Sequence, residues 1–304
     1  MGQTKKLRGH LKSPYAYYLM LPALLVYALL FVLPALSGLL LSFFNVKSFK
    51  LSTITFAGLE NYATVLRNPY FSIAIKNTLL FAAVTTLGKV IFGMALALLV
   101  NQRFHGVNYM RTVFFLPAVL NNVAVGLVFR SMMHPSGLIN QTLSAMGLDM
   151  LMHNWLTDAK IAIFSCAFVE IWKWTGYTMV IFLAGLQSID KTYYEAAGID
   201  GATIWQQIRY ITLPLMKTVI IMMFIMAVGR IFYSDFGLFY QVPRDSNTLY
   251  NYVYTLDVYV FKQLKTSTTG MASAAAFVQS VAGCITILTA NAIVRKIDRE
   301  SAMI

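Results

Sequence analysis

Beyond Lys217 near the end of one run, six ionisable side chains, Lys89, Arg130, Glu170, Lys173, Arg230 and Asp235, lie inside long apolar runs of this 304-residue chain. A charge facing hydrocarbon costs several kcal/mol, so each should face a partner or a wet cavity. Two runs mix charge with aromatic rings. Glu170-Ile-Trp172-Lys173-Trp174-Thr-Gly-Tyr177 fits two charges and three rings into little more than two helical turns, and Arg230-Ile-Phe-Tyr233-Ser-Asp235 does something similar. Flat rings beside hydrogen-bonding groups suit a solute with both apolar and polar faces. Helix-to-helix polar clamping, or an aromatic belt at a membrane interface, would use the same residue types. Glu170 and Lys173, three apart, can pair along one helix. Lys89 and Arg230 have no in-register partner on their own segments, while Arg130 and Asp235 are near run ends, where a charge can reach water.

No catalytic constellation accompanies these residues. The chain has no HExxH, no nucleophile elbow and no paired carboxylates. Gly88-Lys89 lacks the upstream glycine of a phosphate-binding loop, and Val90 stands where Ser or Thr is required, so no nucleotide site is expected. Cys166 and Cys284 sit within apolar runs and read as small buried hydrophobes rather than metal ligands or a disulfide. The expectation is a non-enzyme with no metal and no cofactor of its own.

The elements that position these groups follow from composition. Apolar residues make up 58% of the chain and charged ones 12%, about half the ~25% usual for soluble domains. Mean hydropathy is +0.64. Disorder and a disulfide-stapled secreted domain are excluded on this basis, and an ordinary soluble enzyme is not the expectation. The net charge of +12 would suggest nucleic acid in a soluble protein. Here the basic residues fall in short breaks between apolar runs, which points to a membrane and to no nucleic acid.

A bilayer core of roughly 30 Å takes about 20 apolar residues as helix. Six runs qualify, at residues 17–44, 73–100, 110–132, 161–186, 213–237 and 270–294, predicting an all-α integral membrane fold with six transmembrane helices. The organisation is a segment 1–16, a membrane domain 17–294 and a tail 295–304. Pro22, Pro34 and Pro117 fall within runs and predict kinks. The first run follows Lys5, Lys6, Arg8 and Lys12 but is too long for a signal h-region and has no Ala-x-Ala site, so it is expected to be an uncleaved anchor. With the N-terminus inside, eleven Lys and Arg fall in inner segments and seven in the longer outer ones, which places both termini in the cytoplasm.

The inner loop 187–212, QSIDKTYYEAAGIDGATIWQQIRYIT, reads as two short helices. Thr192-Tyr-Tyr-Glu195 fits a capping box. Gly198 and Gly201 break or tighten the chain, and Asp200 or Thr203 is placed to cap the second helix. Ile204, Trp205, Ile208 and Ile211 give that helix an apolar face. Pro214 then opens the fifth span, in a first turn that tolerates proline.

Glu195-Ala196-Ala197, three residues, Gly201, nine residues, Ile211, one residue and Leu213-Pro214 together match EAA-x3-G-x9-I-x-LP. This resembles the EAA loop of the permeases of binding-protein-dependent ABC importers. Phe56-Ala-Gly-Leu-Glu-Asn-Tyr62, Asn77-Thr78, Arg111-Thr-Val-Phe-Phe-Leu-Pro117, Gly137-Leu-Ile-Asn140 and Asn291-Ala-Ile-Val-Arg-Lys-Ile-Asp298 resemble the carbohydrate-type, oligosaccharide-importing branch. One departure is Asp190, where many relatives carry proline.

The resemblance implies the type I permease fold, a bacterial plasma-membrane location and import of an oligosaccharide. The expected partners are a second, similar permease chain, an extracytoplasmic binding protein received by loops 45–72 and 239–269, and two ATPases holding ATP and Mg²⁺. It assigns ATPase coupling to Glu195, Ala196, Ala197, Asp200, Gly201, Leu213 and Pro214. Sugar-ring recognition makes Glu170, Trp172, Lys173, Trp174, Tyr177, Arg230, Tyr233 and Asp235 the candidate pathway residues. Two alternatives are an ion-coupled secondary transporter, for which inverted repeats are not visible, and an ABC permease for a non-sugar solute.

Overall fold

The computed structural model describes residues 14–46, 54–102, 105–156, 158, 161–230, 232, 255–266 and 269–297. Tyr233, Asp235, most of segment 1–16, part of the tail 295–304 and parts of loops 45–72 and 239–269 lie outside them. The described residues are mostly helical and divide into two compact units, Met1–Arg67 with Lys262–Phe277, and Asn68–Phe261 with Val278–Ile304.

In the first unit, helix α1 (Pro14–Tyr27) runs through a π turn, Ala28–Val32, into α2 (Leu33–Leu41). Pro34 offers no N–H to the carbonyl four residues back, and the wider π turn just before it accommodates that mismatch. The 24 residues Tyr18–Leu41 are highly apolar and none of their most apolar stretch is buried within the chain. Strands β1 (Phe44–Asn45) and β2 (Thr55–Phe56) pair antiparallel, Phe44 opposite Phe56, and lead to α3 (Glu60–Arg67). Asn61 of the Phe56–Tyr62 motif is buried, and its amide donates to the Ser42 carbonyl at 2.8 Å and to that of Phe44 at 3.1 Å. It thereby satisfies two carbonyls that the short ladder leaves open.

In the second unit, α4 (Pro69–Val100) starts with Asn68 accepting from the Tyr70 N–H and Pro69 in the first turn. The third apolar run was expected to be one helix. It is two, α5 (Val107–Val119) and α6 (Asn122–Met132), meeting at 96°. Pro117 removes a helical donor, Leu120 and Asn121 turn extended, and the Asn121 side chain caps the new helix through the N–H groups of Val123 and Ala124. Beyond α6, α7 (Leu138–Ala145) is held by buried Asn140. Its amide donates to the Pro135 and His153 carbonyls, and its oxygen accepts from the Trp155 indole at 2.8 Å.

Helix α8 (Ala162–Gln187) is the centre of this unit and buries residues along its whole length. Two short helices follow, α9 (Thr192–Ile199) and α10 (Ile204–Gln207). The chain continues through a π turn, Ile208–Thr212, and a single turn, α11 (Leu213–Leu215), then bends by 63° into α12 (Lys217–Gly229). Pro214 lies in the first turn of α11, but that turn continues an existing helix. It sits at the end of a continuous helical stretch, just before the bend at Met216, with the π turn again preceding the proline. Helices α13 (Leu256–Thr266) and α14 (Thr269–Ile297) complete the described elements.

Tyr18–Leu41, Pro69–Val100 and Thr269–Lys296 are long and apolar enough to cross a membrane, and counting each bent pair as one span gives five. Helix α8 is also long enough, about 39 Å at 1.5 Å per residue. Its charges and aromatics lower its hydropathy.

Candidate functional site

Two features stand out: a cavity among α4, α8 and α12, and the exposed loop joining α8 to α12. Glycines let α4 and α8 approach closely beside the cavity. A Cβ on Gly88 would fall 2.4 Å from Ile171 Cδ1, and one on Gly93 would fall 2.7 Å from Thr178 Cγ2. Small residues at membrane helix crossings allow this proximity. Below the cavity the same two helices close on an apolar plug of Met94, Ala97, Val100, Met179, Phe182, Leu183 and Leu186, with Met216 at the bend. The plug lies on the side of the loop.

Above it the cavity has a volume of about 570 Å³, within the roughly 300–1,000 Å³ typical of ligand sites. Phe81, Thr85, Thr86 and Lys89 line it from α4, Glu170, Trp174, Tyr177 and Thr178 from α8, and Met223, Met226 and Arg230 from α12 and its end. Trp174 and Tyr177 meet edge to face, centroids 5.9 Å apart at 86°, so they present perpendicular ring faces.

Of the pathway residues expected from sequence, Glu170, Trp174, Tyr177 and Arg230 are brought together here. Trp172 is not: it packs against Phe129 at 5.1 Å on another side of α8. Lys173 is almost fully buried elsewhere, its ammonium 4.2 Å from the Trp174 ring centroid and 3.5 Å from the Ala118 carbonyl. There it complements the carbonyl end of α5, where the break leaves acceptors open. The along-helix pairing considered for Glu170 and Lys173 gives way to a bond between helices: Lys89 Nζ donates to Glu170 Oε1 at 3.1 Å. Sequence reasoning passed over Phe81, Thr85, Thr86, Met223 and Met226. A signal for the threonines existed, because Thr78, Thr85, Thr86 and Lys89 form a polar stripe at helical spacing on an otherwise apolar helix.

The Glu170 side chain is 8% exposed and that of Lys89 22%, so removing one member leaves a poorly solvated charge. Lys89→Met is expected to lower stability by about 3 kcal/mol, the lower end for a broken buried pair. The double change Lys89→Met with Glu170→Leu should recover most of it. Melting temperatures of the two variants in detergent check this: the single substitution should melt lower than the double.

The loop differs from expectation at its first cap. Thr192 and Glu195 do not form a capping box. Asp190 Oδ1 instead accepts from the Thr192 hydroxyl at 2.5 Å and the Thr192 N–H at 3.0 Å, opening α9. The capping box of this loop is Thr203 with Gln206, at the start of α10. At the other end of α9, Gly201 adopts φ +74° while its N–H bonds the Gly198 carbonyl and that of Ala202 bonds Ala197. This pair of bonds is a Schellman closure, with Gly201 at the left-handed position that penalises any Cβ. Tyr194 Oη and Thr212 Oγ1, 3.0 Å apart, tie α9 to the turn before Pro214.

Glu195, Ala196, Asp200 and Gly201 are exposed, and a Cβ on Gly198 or Gly201 would meet nothing within 4 Å. Ile199 is 88% exposed and Trp205 80%. A polar loop that bares these residues and keeps its small ones uncovered offers a seat for another protein.

The Thr192 hydroxyl, and then its N–H, hold the Asp190 carboxyl below the usual carboxylate range. A lowered folded-state value means that this cap is present above the ordinary carboxylate range and is lost as pH falls through the lowered value. Amide protection at the start of α9, taken relative to the intrinsic exchange rate at each pH, should therefore hold from neutral down to about pH 5 and fall only in stronger acid. Asp190→Asn should remove the acid step, and Asp190→Ala should exchange fast throughout.

A helical membrane core with a ligand-sized cavity and an exposed docking loop has the architecture of a permease subunit. The chain belongs to the family of binding-protein-dependent transport system inner membrane components, which residues 89–299 match. It is 34% identical over 246 residues to an arabinooligosaccharides transport system permease of Halalkalibacterium halodurans, covering 78% of this chain and 76% of that one. It is 32% identical over 244 residues to a lactose transport system permease of Rhizobium radiobacter, covering 79% and 80%. Among solved structures it is similar to a chain of a bacterial ABC transporter involved in import of the acidic polysaccharide alginate. The TM-score is 0.82 at 27% identity, with 96% of this chain and 99% of that chain covered. A further crystal structure of the alginate transporter, in complex with an alginate pentasaccharide-bound periplasmic protein, matches with a TM-score of 0.81.

Proposed function

We propose that this chain is a permease subunit of an ATP-driven ABC importer for carbohydrates of oligosaccharide size. It spans the membrane six times, with α8 as the fourth span and both termini in the cytoplasm. The α9 helix then faces the cell interior and seats in a cleft of a cytoplasmic ATPase. Glu195 offers its carboxylate to a basic residue there, and Ala196, Ala197 and Gly201 let the two backbones approach. Asp200 closes the same face, while Leu213 and Pro214 carry its movement to the bend at Met216 and so to α12. Two ATPase subunits supply ATP and Mg²⁺, a second permease chain completes the pathway, and an extracytoplasmic binding protein delivers the solute.

The observation that carries this reading is the exposed, glycine-closed α9 helix bearing the EAA spacing beside bare Ile199 and Trp205. The cavity supports the carbohydrate assignment, because ring faces and hydrogen-bonding groups line it together. The test is affinity purification from the native membrane followed by reconstitution with the binding protein. An ATPase should co-purify, and oligosaccharide uptake should require ATP. Uptake driven by an ion gradient without nucleotide would overturn the reading.

A further inference from the structure

The cavity holds one carboxylate and two cations among its described lining residues, Glu170 against Lys89 and Arg230. Lys89 and Glu170 bond each other at 3.1 Å and so offset one another's charge. Lys173, the other cation of this part of α8, points out of the cavity to the Ala118 carbonyl. Arg230, exposed at the end of α12, is left as the charge not offset from within the cavity, and no described acidic side chain forms a salt bridge with it. Such a guanidinium, exposed at the edge of an aromatic-lined cavity, is open to an anion brought in by the solute. Its planar fork matches a carboxylate in two-point geometry.

We propose that the cavity selects an anionic saccharide, with Arg230 receiving a sugar-ring carboxylate while Trp174 and Tyr177 hold the ring faces. This rests on the carbohydrate reading above and narrows it to uronate-containing glycans. The neutral Lys89–Glu170 pair serves the hydroxyls, donating from the ammonium and accepting at the carboxylate.

The test uses the purified transporter complex, free of nucleotide and of binding protein. It is titrated with trigalacturonate and with galactotriose, and binding is read from tryptophan fluorescence. The wild type should bind trigalacturonate about tenfold more tightly, a ratio in keeping with one charge-assisted two-point contact. Arg230→Gln should reduce that ratio to near one, chiefly by weakening trigalacturonate, and Arg230→Lys should retain part of it. Trp174→Phe should remove most of the signal, placing both sugars at this cavity. Equal affinity for the two sugars in the wild type, or a preference that survives Arg230→Gln, overturns the proposal. ATP-driven uptake is measured separately, so a working importer without charge preference defeats this inference alone, whereas loss of ATP dependence defeats the importer reading.

Discussion

Gly176→Ala should leave little folded protein. The new Cβ would lie 1.8 Å from the Phe114 carbonyl oxygen, 2.5 Å from its carbon and 2.9 Å from Phe115 Cα, where carbon contacts normally stand at about 3.5–4.0 Å. All three are backbone atoms of α5, so no side-chain rotation relieves the clash. Helices α5 and α8 must separate. Separation would also lengthen the contact of buried Lys173 with the Ala118 carbonyl, already 3.5 Å. The expected cost is about 3 kcal/mol or more, the upper end for overpacking. The monodisperse fraction after mild heating measures it. Gly38→Ala is the control, because a Cβ there meets nothing within 4 Å and the residue lies in the helical stretch of α2. If Gly176→Ala melted with the wild type, the close α5–α8 crossing would be wrong.

Glu195→Lys should act in the opposite way, sparing the fold and stopping transport. Glu195 is exposed on α9, and among the described residues no hydrogen bond or ion pair engages its side chain, so the isolated subunit should insert and melt normally. What the substitution removes is the charge-assisted contact proposed with the ATPase, about 1.5–3 kcal/mol. That is roughly a 10- to 150-fold weaker seating, before any repulsion from the new charge. Substrate-stimulated ATP hydrolysis and uptake in proteoliposomes should both fall by at least an order of magnitude at fixed ATPase concentration. Uptake at the wild-type rate would exclude α9 as the coupling element. Gly201→Asp should uncouple as well, partly through strain at φ +74°, so the Glu195 variant is the cleaner probe.

The apolar runs located the long helices to within a few residues, because burying a backbone in hydrocarbon forces it to be helical whatever its neighbours. The loop was legible only in part: Gly201 marks a break and Thr203 a cap, but the capping box expected at Thr192 and Glu195 forms instead at Thr203 and Gln206. Asp190 departs from the proline of the resembled pattern, yet it supplies an acceptor that starts the helix. The break at Leu120–Asn121 was hidden because hydropathy counts residues and carries no direction. Pro117 and Asn121 marked where a helix could stop and restart, but an angle of 96° depends on what packs against each half.

Side-chain partners were the least accessible part. Lys89 and Glu170 are 81 residues apart and meet only because Gly88 and Gly93 bring two helices together. Trp172 and Trp174 look alike in sequence, but a two-residue step on a helix turns roughly 200°, sending one to Phe129 and the other to the cavity. The sequence by itself determined that the chain lives in a membrane, where its helices run and which loop stays polar, since transfer from water and local backbone geometry act residue by residue. Only the tertiary structure decided which faces turn inward, which charges neutralise each other and where a cavity remains. Those depend on how closely two particular backbones can approach, and composition does not carry that information.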